Sequence, residues 1–217
     1  MRKICYALTV VCMVLCMSTY SRAQVSIGIG TPNVSIGINF PVYPELVRIP
    51  SYPVYYAPRV DANYFFYDGM YWVFQGDAWY SSFWYNGPWR AVAPEYLPYY
   101  ILRVPVRYYR HPPAYFRGWQ PNAPPRWNDH WGPGWSKQRS GWDQWNRQAS
   151  PQPAPLPTYQ RKYSGERYPQ MERQQRIHSD QYRYQPRSSI VREQYKGGGG
   201  KGHGGPPHGK KDRGRPD

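Results

Sequence analysis

The sequence predicts a mainly-β protein: a small, aromatic-rich antiparallel meander with short flanking helices and a disordered basic C-terminal tail. Three observations carry this expectation. Aromatic residues are dense, with 10 Trp, 23 Tyr and 6 Phe in 217 residues. Glycine-containing turn pairs recur between short aromatic runs. After residue 150 the aliphatic side chains thin out and Pro, Gln, Arg and Gly take over. The same composition, with 25 Pro and 20 Gly, excludes a large parallel α/β core, which needs long Val/Ile/Leu strands. No apolar run reaches the roughly 18 residues of a membrane-spanning helix.

Taken in order, residues 1–23 read as a secretory signal peptide. Arg2 and Lys3 precede an uncharged, mostly apolar stretch over 4–17, and Ser21-Arg22-Ala23 offers small residues at a cleavage site. The expected mature chain starts near Gln24 and is exported, to the periplasm or outside the cell, with no transmembrane segment. All three cysteines, Cys5, Cys12 and Cys16, lie in the leader, so disulfides and a thiol nucleophile are not expected.

Residues 24–60 form a Pro-rich, extended lead-in. It contains a short repeat, Val25-Ser26-Ile27-Gly28-Ile29-Gly30 and Val34-Ser35-Ile36-Gly37-Ile38-Asn39, whose period of two predicts a hairpin across Thr31-Pro32-Asn33. Residues 61–117 hold 20 aromatics. Asp68-Gly69, Gly76-Asp77 and Asn86-Gly87 separate expected strands near 63–67, 70–75, 78–85 and 88–93, and residues 101–110 read as a further edge strand. Trp72 and Phe74 fall on one face, Tyr71 and Val73 on the other, so either both faces are covered or one is an exposed aromatic surface. Over 118–149, Trp127, Trp131 and Trp135 are spaced for one helical face, interrupted at Gly132-Pro133, as short helices capping the sheet. Residues 150–217 read as the disordered tail, with fourteen Lys and Arg against six Asp and Glu.

The formal charge is +15, of which Arg2, Lys3 and Arg22 leave with the leader. An exported basic chain meets anionic envelope polymer or a lipid surface first, and nucleic acid is not an expected partner. His111 and His130, in the foldable region, have no neighbouring residues in sequence that suggest a triad or a zinc motif. The carboxylates Asp61, Asp68, Asp77 and Glu95 are weighed as a glycosidase-type pair, but two of them already have turn roles. No catalytic residue, metal or cofactor is expected. The aromatic cluster is the strong signal, since Trp and Tyr faces stack on sugar rings. Trp72, Trp79, Trp84 and Trp89 are the candidate stacking residues, with core packing as the competing role.

The stretch Tyr67-Asp68-Gly69-Met70-Tyr71-Trp72-Val73-Phe74-Gln75-Gly76-Asp77-Ala78-Trp79-Tyr80 resembles exported bacterial proteins of unknown function with YXWGXW-type aromatic/Gly/Trp repeats. So do Trp84-Tyr85-Asn86-Gly87-Pro88-Trp89 and Trp131-Gly132-Pro133-Gly134-Trp135. The resemblance spans 25–147 and implies export and an aromatic β unit, without an activity. The functional expectation is a non-enzymatic, envelope-associated protein that binds envelope polymer or a protein partner. A glycan-binding module is the alternative and an exported hydrolase the third reading.

Overall fold

The structure is a computed structural model that describes residues 33–198, with side chains through Tyr195. The leader, the first copy of the repeat and residues 199–217 lie outside the described residues.

Six antiparallel strands pair strictly with their sequence neighbours, as the meander reading expects. They are β1 (Val47–Arg48), β2 (Val54–Tyr56), β3 (Asn63–Tyr67), β4 (Met70–Gln75), β5 (Ala78–Ser82) and β6 (Arg90–Val92). The central hairpins close at Tyr67↔Met70 and Gln75↔Ala78. Both central residues of each turn have positive φ, 52° and 91° at Asp68-Gly69 and 57° and 63° at Gly76-Asp77. That geometry matches the right-handed twist of the strands, and it is why these Asp/Gly pairs fix the register. Gly69 has a second constraint, because a Cβ there would come within 2.5 Å of the Tyr195 hydroxyl.

Three expectations are corrected. The lead-in is not merely extended, since β1 and β2 form a hairpin inside it and join the sheet. Of the second repeat copy, Val34 makes a single bridge to Trp89 and Ile36 and Ile38 pack on the sheet. Residues 101–110 are not a strand. They form a short helix α1 (Tyr99–Leu102) and a 3-10 turn (Val106–Tyr108), entered from Pro98 and Pro105 at φ −62°. Ile101, Leu102 and Val104 are all buried, and adjacent residues of a strand point to opposite faces whereas a helical turn can bury both. Finally, the tail does not begin at 150. Residues 150–195 fold onto the sheet and include α3 (Met171–Gln181) and the start of α4 (Ser189–Gly198).

Both sheet faces are covered. On one, Phe65, Trp72, Phe74 and Trp79 pack under Ile101, Tyr109, Phe116, Trp127 and Trp142. The helix α2 (Trp127–Gln138) breaks where Gly132 takes φ 80°, and Pro133 restarts it, as the sequence predicts. Trp127 and Trp131 stack at 4.4 Å and Trp131 meets Trp135 at 4.7 Å, so the spaced rings remain one continuous face across the break. Two buried arginines knit this layer together. Arg103 donates to the carbonyls of Trp142 and Gln144 and lies over the Trp145 ring, and Arg139 donates to Leu97 O over the Tyr99 ring.

On the opposite face, Tyr64, Phe66, Tyr71 and Val73 are covered by Phe40 and Tyr43 from the lead-in and by Ala154, Tyr159, Tyr168 and Tyr182 from the C-terminal layer. Gln160, 0% exposed, bonds this layer to the sheet through all its polar capacity. Its Oε1 accepts from the Tyr71 hydroxyl at 3.0 Å and from Tyr85 N at 3.3 Å. Its Nε2 donates to Phe83 O at 2.8 Å and to the Tyr159 oxygen at 3.1 Å. Burial holds the Tyr71 hydroxyl far above its ordinary pKa, so it remains a donor. Asp68 fastens the other end, accepting from Tyr184 OH at 2.6 Å, Arg187 N at 3.0 Å and Ser188 N at 2.8 Å.

Two outcomes follow from this layering. A chain ending at residue 149 uncovers Tyr64, Phe66, Tyr71 and Tyr85, each worth about 1.5–3 kcal/mol when buried, against a whole-domain stability of about 5–15 kcal/mol. It should show no cooperative melt by near-UV circular dichroism, whereas a chain through 198 melts in one transition; a preserved melt in the shorter chain would return the boundary to 150. Gln160→Leu removes the partner of the Tyr85 N–H and of the Phe83 carbonyl, and should lower stability in urea unfolding by about 2–5 kcal/mol.

Candidate functional site

The four tryptophans marked for stacking are core residues. Trp72, Trp79, Trp84 and Trp89 are 0%, 2%, 1% and 2% exposed. The Trp72 indole N–H donates to Tyr67 O and that of Trp84 to Gln174 O, while those of Trp79 and Trp89 are buried without a hydrogen-bond partner. The structure does not bring the four to one surface: Trp72 and Trp79 pack in the core beneath α2, whereas Trp89 belongs to the opposite core. Among the described residues the exposed aromatic side chains lie elsewhere, at Tyr96 and at Tyr99, the first residue of α1.

The fold brings together pairs that sequence spacing could not show. Asp61 Oδ1 lies 2.6 Å from His111 Nε2, both well exposed. Asp77 Oδ1, on the β4–β5 turn, lies 3.0 Å from His130 Nε2 and accepts from the Tyr115 hydroxyl at 2.6 Å. The Tyr115 and His130 rings stack at 4.1 Å. Burial, then the Asp77 carboxylate, raise the Tyr115 hydroxyl, which stays protonated as the donor. No Ser or Thr hydroxyl bonds either histidine among the described residues, so neither pair is arranged to activate a side-chain nucleophile. Of the other two acids, Asp68 is spent on the C-terminal layer and Glu95 sits in the 3-10 turn Pro94–Tyr96, so the four carboxylates do not converge. No group of three or more metal-ligating side chains gathers among the described residues.

Two features stand out instead. The first is the outer surface of the C-terminal layer. Arg161, Lys162, Arg167, Arg173, Arg176, Arg183, Arg187 and Arg192 are exposed there. Arg173 and Arg176 are three apart on α3, hence on one side of the helix. The same layer exposes four carboxylates, Glu166, Glu172, Asp180 and Glu193, so its exposed cations outnumber its exposed acids eight to four.

The second is a cavity of about 280 Å³ between β5, β6 and the helices α3 and α4, lined among others by Phe83, Trp84, Arg90, Met171, His178 and Tyr195. His178 is buried on α3; its Nδ1 is 2.9 Å from the Tyr159 hydroxyl and its Nε2 has no partner. Burial lowers its pKa to about 4, so the ring is neutral at pH 7. Arg90 is half-buried, and burial alone lowers its guanidinium below the ordinary arginine value. Sequence reading placed His178 in the tail and missed this cavity, because only the folded layer brings α3 against β5 and β6.

No family model matches this chain, no curated protein is significantly similar to it, and no solved structure matches its fold. Among the described residues no helix is long and apolar enough to cross a membrane.

His178 gives the fold a defined pH dependence. Between its folded value of about 4 and an unfolded value near 6.5, the unfolded chain takes up a proton that the folded chain refuses. Its contribution is therefore intact above pH 6.5 and lost as the pH falls toward 4. Urea unfolding at pH 7 and 4.5 should show native protein losing about 2 kcal/mol more than His178→Gln, whose amide does not titrate. Equal losses would place the imidazole in a solvated position.

Proposed function

We propose that this chain is a non-enzymatic, exported envelope protein that associates with anionic envelope polymer through the outer surface of its C-terminal layer. The observation that carries the reading is the set of eight exposed Arg and Lys side chains between 161 and 192, held on a folded layer rather than on loose chain. Exposed charges are screened beyond about 8 Å at physiological salt, so useful attraction needs several contacts at close range. A folded layer presents those contacts together and loses little conformational freedom on binding. Phosphate and carboxylate groups along an envelope polymer are the matching partner, and arginine pairs with both in bidentate geometry.

The glycan-stacking alternative loses its named residues to the core and would rest on Tyr96 and Tyr99 instead. The hydrolase reading gains the pairs Asp61–His111 and Asp77–His130, which present carboxylate-held imidazoles without a side-chain nucleophile. Export rests on the leader pattern of Arg2, Lys3 and Ser21-Arg22-Ala23.

The test is binding to lipopolysaccharide micelles across a salt series. Replacing Arg173, Arg176 and Arg183 together by Gln should weaken binding roughly 100-fold at low salt, at about 1 kcal/mol per contact, and flatten the salt dependence. A chain ending at 198 should keep most of the native affinity. If the triple variant binds as the native protein does while the shorter chain fails, the contact belongs to residues 199–217 and the folded layer is not the binding surface.

A further inference from the structure

We propose that the cavity between β5, β6, α3 and α4 is a binding site for a small monocarboxylate with a single aromatic ring, with Arg90 and the Nε2–H of His178 as its donors. The inference is independent of the polymer-binding surface.

We take the tautomer of His178 that pairs every group around Tyr159. Gln160 Nε2 donates to the Tyr159 oxygen at 3.1 Å, and a Tyr159 hydroxyl that donates to His178 Nδ1 at 2.9 Å leaves no hydroxyl hydrogen without an acceptor. The ring hydrogen is then on Nε2, buried and without a partner. A buried donor left unpaired is costly, and a site that binds an acceptor there recovers that loss. Arg90 adds a charged donor to the same lining, and no carboxylate contributes to its shifted guanidinium.

The three serine hydroxyls of the lining already have partners. Ser81 Oγ donates to Gln194 Oε1, Ser82 Oγ accepts from Trp84 N, and Ser179 Oγ donates to Arg176 O. Gln174 Nε2 donates to Pro169 O, and Gln175 adds a neutral amide to the lining, so Arg90 is its one charged side chain and the Nε2 of His178 its buried unpaired ring nitrogen. The lining contains no Asp or Glu, so an ammonium group would find no counter-charge, which excludes free amino acids in favour of simple acids. The walls are the rings of Phe83, Trp84 and Tyr195 with Met70 and Met171, which suit an aromatic body and give inorganic anions little to hold. A volume of about 280 Å³ is at the small end for ligand sites and admits one ring.

Isothermal titration at pH 7 with phenylacetate, benzyl alcohol and inorganic phosphate tests the assignment. Phenylacetate should bind the native chain and shift the His178 Nε2–H proton resonance. Benzyl alcohol, which keeps the ring and lacks the charge, should bind at least about tenfold more weakly, and phosphate should leave the His178 Nε2–H resonance unmoved. Arg90→Gln, shown folded by its proton spectrum, should lose at least about tenfold for phenylacetate, and His178→Phe should lose affinity while keeping a ring in place. Lipopolysaccharide binding should be unchanged by phenylacetate, so the two sites fail or stand separately. Absence of phenylacetate binding at millimolar concentration, native affinity in Arg90→Gln, or equal affinity for benzyl alcohol would overturn the proposal.

Discussion

A sheet with no wet face cannot be completed by its own strands. Every residue of β3 and all of β4 except Gln75 is buried, so chain on either side of the meander must supply two lids. The N-terminal approach and residues 154–184 cover one face, while the Trp-rich segment, joined by Val191 and Tyr195 of α4, covers the other. Aromatic rings are the economical filling for lids made of short turns, because each buries a large area from a single backbone position. Polar groups carried into this packing must then be satisfied one by one. That requirement explains the side chains that look out of place in a core: Gln160, Asp68, Arg103 and Arg139 each bind backbone or hydroxyl groups that the short, irregular lids leave unpaired.

The parts of this architecture written in local chemistry were legible. Asp68-Gly69 and Gly76-Asp77 specify two-residue turns by conformational preference alone, and the strands at 63–67 and 70–75 fall where those turns put them, while the one expected over 78–85 ends at Ser82. The Trp127, Trp131 and Trp135 spacing and the Gly132-Pro133 break needed no tertiary knowledge either. What sequence could not show is decided by distant partners. Residues 101–110 have strand-like composition, but Pro98 and Pro105 start turns that bury neighbouring residues together. The layer after 150 is poor in aliphatics, the usual mark of chain that cannot fold. Its tyrosines, from Tyr159 to Tyr195, and one glutamine take their place on a surface already rich in rings.

The candidate sites divide along the same line. Basic character after 150 is plain in the sequence, whereas its placement on a folded surface is not. Trp72, Trp79, Trp84 and Trp89 carry the same composition whether they bind sugar or fill a core, and only the presence of two lids decides for the core. Asp77 meets His130 and Arg90 meets the cavity of His178 across 53 and 88 residues of chain, distances over which no spacing pattern operates. His178 stands four residues after Gln174 on α3, and both are buried on the side of the helix that turns inward.

The bond from Ser188 N to the carboxylate of Asp68 joins residues 120 positions apart, and that from Tyr71 to Gln160 joins residues 89 apart. Contacts so remote in sequence set the order of events in folding. The meander can form its hairpins as soon as it exists, but its second face stays uncovered until the C-terminal layer arrives. During synthesis, when residues appear from the N-terminus onward, the aromatic sheet is therefore the first element made and among the last to be sheltered. Until that layer arrives the hairpins carry an unlidded aromatic face, the kind of surface through which partly made chains stick to one another.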